Sequence, residues 1–278
     1  MIFWRRWLWI PFLAAALFGG CGEDQTAGDD LPPSKPLWVA RSADDVYPQR
    51  GIRAQPVSSD AQHHVRLEWY GNPEPDVGRY VIVRAPEAFG PRNGYTVADL
   101  RIGVDLEAGQ AQYAWVDNGD STGGAPLDLL GPHPESGFSR GYYWMMLAYD
   151  TAGNRSRQSD AQYYRLINNP YEVFVRRDTA NVYAVNWNYQ GNPDVLLSYY
   201  MIRVYGQAGG PDSVVWWQQV IRYESSETAY MDFSQSQAPL HAGQTYVCQL
   251  NAISTRRTEA HADSLAGAAV FTTFVYQN

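Results

Sequence analysis

Lysine is the scarcest charged residue in this chain. Lys35 stands alone among 21 basic residues, the rest being Arg, and 29 acidic residues outnumber them. The formal net charge is −8. That balance lacks the basic face on which nucleic-acid phosphates bind, and it lacks a polybasic patch for a membrane surface. Cysteine is nearly as scarce: Cys21 and Cys248 are the only two. So few thiols cannot staple 278 residues, and packed cores must supply the stability. Histidine is sparse and scattered. His63 and His64 face opposite ways if they lie in a strand; His133, His241 and His261 show no metal-ligand spacing. Asp117 to Ser121 is acidic but lacks the further ligands of a calcium loop, and reads as a turn closing a strand. Gly137-Phe138-Ser139-Arg140-Gly141 fits a serine-hydrolase pattern, yet it precedes a strand rather than a strand-to-helix turn, and is read as a chance match. No catalytic residue, metal site or cofactor is assigned, and the chain is read as a non-enzyme.

Aromatic residues, by contrast, are plentiful: 10 Trp, 20 Tyr and 9 Phe. The first twenty residues have a different character. Arg5 and Arg6 precede a short apolar run from Trp7 to Phe18, and small residues follow before Cys21. This is a secretory signal pattern, too short for a spanning helix. Leu17-Phe18-Gly19-Gly20-Cys21 resembles a bacterial lipobox, with Phe18 at its first position. The resemblance implies lipidation of Cys21, attachment to a membrane through that lipid and, with Gly22 following, an outer-membrane location in the cell envelope. Residues 21–36 are polar, acidic and closed by Pro32, Pro33 and Pro36. They read as a flexible tether reaching roughly 20–25 Å as a coil.

The remainder is organised around Gly141 to Ser159. Tyr142, Trp144, Met146 and Ala148 alternate with Tyr143, Met145, Leu147 and Tyr149, a strand with one core face. It breaks at Asp150 to Asn154, a turn tolerant of positive φ, and a polar strand begins at Arg155 to Ser159. Upstream, Leu37 to Arg41 reads as a first strand, followed by a long polar segment. His64 to Tyr70 alternates with Val65, Leu67 and Trp69 on one side. Further strands are read at Tyr80 to Arg84 and at Tyr113 to Asp117. Then the signals recur in order. Val185-Asn186-Trp187 matches Leu67-Glu68-Trp69, and Tyr200 to Val204 matches Tyr80 to Arg84. Ala229 to Asp232 repeats the strand at Tyr113, and Tyr246, Cys248, Leu250 and Ala252 repeat Tyr142 to Ala148. An ordered internal repeat of this kind marks duplicated units.

Each repeat resembles a fibronectin type III domain: Trp69 and Trp187 resemble the core Trp of strand B, Tyr80 and Tyr200 open a strand C, and Tyr142 and Tyr246 precede strand F. The resemblance implies an all-β fold of two tandem immunoglobulin-like antiparallel β-sandwiches, at 37–167 and 168–278, after a signal peptide at 1–20 and the tether at 21–36. Tyr142 and Tyr246 are candidates for a tyrosine corner, with the ring in the core and the hydroxyl bonded upstream. The link at Asn168-Asn169-Pro170 is short, so the two units should touch.

Two features suggest binding surface. Trp216 and Trp217 are adjacent on a strand from Val214 to Tyr223, so one ring faces in and one out; Trp216, Trp217 and Tyr223 are the candidate binding residues. The Gly/Pro-rich insertion between Asn118 and Ser136 is the second. The fold hosts many unrelated roles, and three readings stay open. One is a non-catalytic envelope binding or interaction module with an unknown protein or glycan partner. The second is a carbohydrate-binding accessory lipoprotein using exposed aromatics, and the third a structural subunit of an envelope or secretion assembly.

Overall fold

The structure is a computed structural model that describes residues 31–40, 51–56, 64–86, 92, 94–118, 140–178, 180–191, 197–221, 226–254 and 265–277. Among them are fourteen β-strands and no α-helix. The signal segment, Cys21, the insertion after Asn118, His63, His133, His261, Ser139 and Tyr223 lie outside the described residues.

Seven strands build the first sandwich: β1 (Ile52–Gln55), β2 (His64–Tyr70), β3 (Val77–Pro86), β4 (Tyr95–Arg101), β5 (Gln112–Asp117), β6 (Arg140–Asp150) and β7 (Gln162–Leu166). Seven more build the second: β8 (Tyr171–Arg177), β9 (Tyr183–Asn188), β10 (Tyr199–Gly206), β11 (Val214–Val220), β12 (Ser226–Met231), β13 (Thr245–Ser254) and β14 (Leu265–Val275). Each repeat sets a three-stranded sheet, β1-β2-β5 or β8-β9-β12, against a four-stranded one, β4-β3-β6-β7 or β11-β10-β13-β14. This A-B-E and C′-C-F-G partition is the fibronectin type III arrangement, and within each repeat the pairings are antiparallel.

Alternation explains the cores. Val65, Leu67 and Trp69 are fully buried, as are Trp144, Met146 and Ala148 facing them. Val185 and Trp187 do the same work in the second repeat with Cys248, Leu250 and Ala252. The repeat extends to ring geometry. Trp69 meets Tyr80 edge-on at 5.6 Å and 68°, and Trp187 meets Tyr200 at 5.0 Å and 69°. The Tyr246 hydroxyl accepts the His241 backbone N–H at 2.9 Å, closing a tyrosine corner. Tyr142 is buried in the first core, but the segment just upstream of it lies outside the described residues.

Cys248 sits wholly inside the second core, where burial pushes its thiol up to about 12. It is expected to resist a thiol reagent at pH 8 until the protein unfolds, because both access and thiolate are missing. Labelling of the native protein at the rate of a free thiol would place β13 in a different register.

Two strand assignments and the end of the tether are corrected. Within the segment read as a first strand, described residues 37–40 form only an isolated bridge, Trp38 to Trp69, and the first regular strand among the described residues is Ile52–Gln55, within the segment read as polar. Both pieces lie on the same edge of β2. Leu37 and Val39 bond to Tyr70 and Glu68, and Ile52 pairs with Leu67. They meet at Gly51, whose φ of +93° suits glycine, and whose absent Cβ would stand 2.2 Å from the Val39 carbonyl oxygen. The Glu68 carboxylate closes the junction by accepting the Gly51 N–H at 3.1 Å and ion-pairing with Arg53 and Arg66. Burial alone would raise its pKa, but those two cations and the Gly51 N–H hold it below the usual carboxylate range.

The second correction concerns the strand read from Arg155. Regular pairing starts only at Gln162, because serine hydroxyls substitute for ladder carbonyls before it. Ser156 Oγ and Ser159 Oγ accept the backbone N–H groups of Ala148 and Met146 at 2.9 and 2.8 Å. The third is the end of the tether. Ser34 bonds Glu74 through both its N–H and its hydroxyl, Lys35 pairs with Asp160 at 2.9 Å, and Pro33 and Pro36 are buried. The last residues read as tether are therefore fixed to the first sandwich.

The two repeats join through their sheets. β14 pairs in parallel with β7, Leu265 to Tyr164 through Gly267 to Leu166, so the two four-stranded sheets become one of eight strands. Successive side chains of a strand point to opposite faces. On β14, Ala269 enters the first core and Val270 the second; at the end of β7, Leu166 enters the first and Ile167 the second. The two three-stranded sheets therefore cover opposite faces of the shared sheet. Residues 32–278 form one compact unit as a result.

Candidate binding cleft

Trp216 and Trp217 do face opposite ways. Trp216 is buried in the second core, its indole N–H donating to the Asp232 carbonyl at 2.8 Å and its ring edge-on to Phe233 at 5.6 Å. It offers no surface. Trp217 lies on the other face, half-buried, paired across the ladder with the buried Arg203. Arg203 in turn donates to Asn251 at 2.7 Å, and Asn251 also accepts from Gln249. Neither tryptophan is an open platform.

An open aromatic surface lies instead at the end of the second sandwich, where β8 turns into β9, β12 ends and β14 leads into Tyr276 and Gln277. A cleft of about 450 Å³ opens there, within the size range of small-ligand sites. Tyr183 organises it. Its ring stacks on Tyr276 at 5.5 Å and 25° and touches Phe233 and Phe274 at 5.6 and 5.5 Å. Its hydroxyl accepts the Gln277 N–H at 2.7 Å and donates to the Gln277 carbonyl at 3.2 Å, pinning the tail to the start of β9. Arg177 lies 5.8 Å over the same ring and donates to the Gln277 side-chain carbonyl at 3.0 Å.

Around this aromatic base stand exposed groups of both hydrogen-bonding senses. Tyr230, the penultimate residue of β12, is 61% exposed, and Val182 is 39% exposed. Asn181 and Asp232 lie on the rim. Asn181 has a φ of +63°, fixed by a tight turn in which its N–H reaches the Asp178 carbonyl and the Asp178 carboxylate holds Ala180 and Val182. The hydroxyl and backbone N–H of Ser234 hold the Asp232 carboxyl below its usual range, so it is an ionised acceptor at neutral pH.

No family profile and no curated protein matches this chain. Among solved structures, the FN1–FN3 domains of chicken CNTN1 are similar over 88% of this chain and 69% of that one, at 13% identity and a TM-score of 0.30. The fold assignment rests on the strand order and pairing described above.

The repeat isolates what is particular to the cleft. The ladders match Tyr183, Met231, Val204, Cys248 and Tyr276 with Val65, Asp117, Arg84, Trp144 and Leu166. In the first sandwich these positions hold a buried ion pair, Arg84 to Asp117 at 2.8 Å, with the Trp144 indole N–H on the same carboxylate oxygen at 3.0 Å. Tyr95 accepts from the Arg84 guanidinium at 3.0 and 3.2 Å. In the second sandwich the charges are gone and Tyr183 and Tyr276 stand instead. The sequence places Asp117 at the end of a strand and in the turn that closes it, and Tyr230 within a repeated strand, but marks no site role for Tyr183, Tyr230, Phe233 or Tyr276. Residue-by-residue comparison of the repeats would have marked Tyr183 against Val65. Nothing in sequence brings positions 183, 230 and 276 together.

Proposed function

We propose that this is a lipid-anchored, non-catalytic protein of the cell envelope that presents a binding cleft away from its membrane. The observation that carries this reading is the position of the cleft. Ser34 and Lys35 are docked beside Glu74 and Asp160, at one end of the first sandwich. β7 leads away from that end, meets β14 at Leu265, and β14 continues from Gly267 to Val275. At a strand rise of about 3.3 Å per residue this carries the cleft roughly 25 Å past the junction. Cys21 lies upstream of Ser34, the residue docked at the opposite end. The shared sheet then acts as a stiff spacer, where a free linker would let the second sandwich fold back.

Two measurements test the anchor. Labelled palmitate should incorporate into the wild-type chain, and Cys21→Ser should move the protein from the membrane fraction to the soluble one. Absence of label from the wild type overturns the lipoprotein reading.

A further inference from the structure

We infer that the cleft at the end of the second sandwich binds a saccharide, with Tyr230 as its stacking ring and Asn181 and Asp232 as polar contacts. This rests on the reading of the chain as a binding protein and names the ligand class for its cleft. A pyranose ring presents a flat C–H face and a rim of hydroxyls that both donate and accept. Its complement is an exposed aromatic face bordered by fixed polar groups of both senses. The cleft supplies that combination: a ring more than half exposed at Tyr230, an ionised acceptor at Asp232, and an amide at Asn181. A tyrosine can offer its ring to an apolar face while keeping its hydroxyl wet.

The preorganisation is specific. The turn at Asp178 sets the Asn181 backbone, Ser234 sets the Asp232 carboxylate, and Tyr183 and Arg177 pin the tail that forms one wall. Groups held this way lose little freedom on binding. A proline-rich peptide also favours aromatic grooves, but it asks for successive apolar slots rather than a carboxylate and an amide at one ring.

The test uses the detergent-solubilised full-length protein on a printed glycan array and, in parallel, a proline-rich peptide array. Binding to one or more glycans is expected, confirmed in solution by calorimetry with the free oligosaccharide. Tyr230→Ala should weaken it at least tenfold. Asn181→Gly, which keeps the positive φ while removing the amide, should weaken it several-fold with an unchanged unfolding midpoint. Asp232→Asn should weaken it without abolishing it. No glycan bound, binding to peptides alone, or glycan binding unchanged in Tyr230→Ala would each overturn the assignment. A peptide-only result would leave the binding-protein reading standing, and a failed palmitate label would leave the saccharide assignment standing.

Discussion

Asp117→Ala is expected to destabilise the protein by about 3–5 kcal/mol, the usual cost of stranding one member of a buried ion pair. Arg84 is fully buried, and its guanidinium lies near the Tyr95 and Tyr142 rings as well as the Asp117 carboxylate. Without Asp117 the charge remains and its counter-charge is gone. The Trp144 N–H also loses its acceptor. The measurement is the urea midpoint followed by circular dichroism, with an unchanged slope. The companion variant is Arg84→Met with Asp117→Leu. It removes both charges and moves the first repeat toward the apolar Val204 and Met231 of the second. Buried pairs replaced by apolar residues of similar volume are often neutral, so the double variant should recover most of the loss. A double variant as unstable as the single would mean that the lost Trp144 bond sets the cost rather than the stranded charge.

The second large effect is expected at the matched tryptophans. Trp69→Ala and Trp187→Ala should each cost about 3–5 kcal/mol. Each ring lies at the centre of its core, 0% and 1% exposed, and each anchors an aromatic pair with the tyrosine that opens the neighbouring strand. The Trp69 indole N–H meets no acceptor among the described residues, so its contribution there is burial and ring contact. Because Ala269 and Ile167 cross between the cores, damage to either should lower a single shared transition. A loss below about 1 kcal/mol at either site would remove that ring from the core. Two separated transitions, with only the mutated repeat affected, would mean that the β7–β14 pairing does not couple the sandwiches.

The sequence by itself determined the fold class, the duplication and the core faces. Strand alternation at Val65-Leu67-Trp69 and Tyr142-Trp144-Met146-Ala148 is a local property, because the pleat sends every second residue to one face whatever the partner strand is. The repeat multiplied that signal. Local pattern failed where strands are short or irregular. Ile52–Gln55 holds only four residues, two of them polar, and hides in a polar segment. The segment from Arg155 to Ser159 looks like a strand, but its serine hydroxyls take bonds that a ladder would give to carbonyls.

Only the tertiary structure decided which aromatics are surface and which are core. The strand period placed Trp216 and Trp217 on opposite faces. It could not say that Trp216 is sealed by Asp232 and Phe233, or that Trp217 sits against a buried arginine. Likewise, Arg84 and Asp117 are 33 residues apart and become partners only because neighbouring strands of two facing sheets end together. The cleft joins positions 183, 230 and 276 for the same reason: Greek-key connections return distant strand ends to one pole. The parallel seam between β7 and β14 was least legible of all. A short linker requires two domains to touch, but which edges pair is set by the whole surface of both, and no stretch of sequence carries that information.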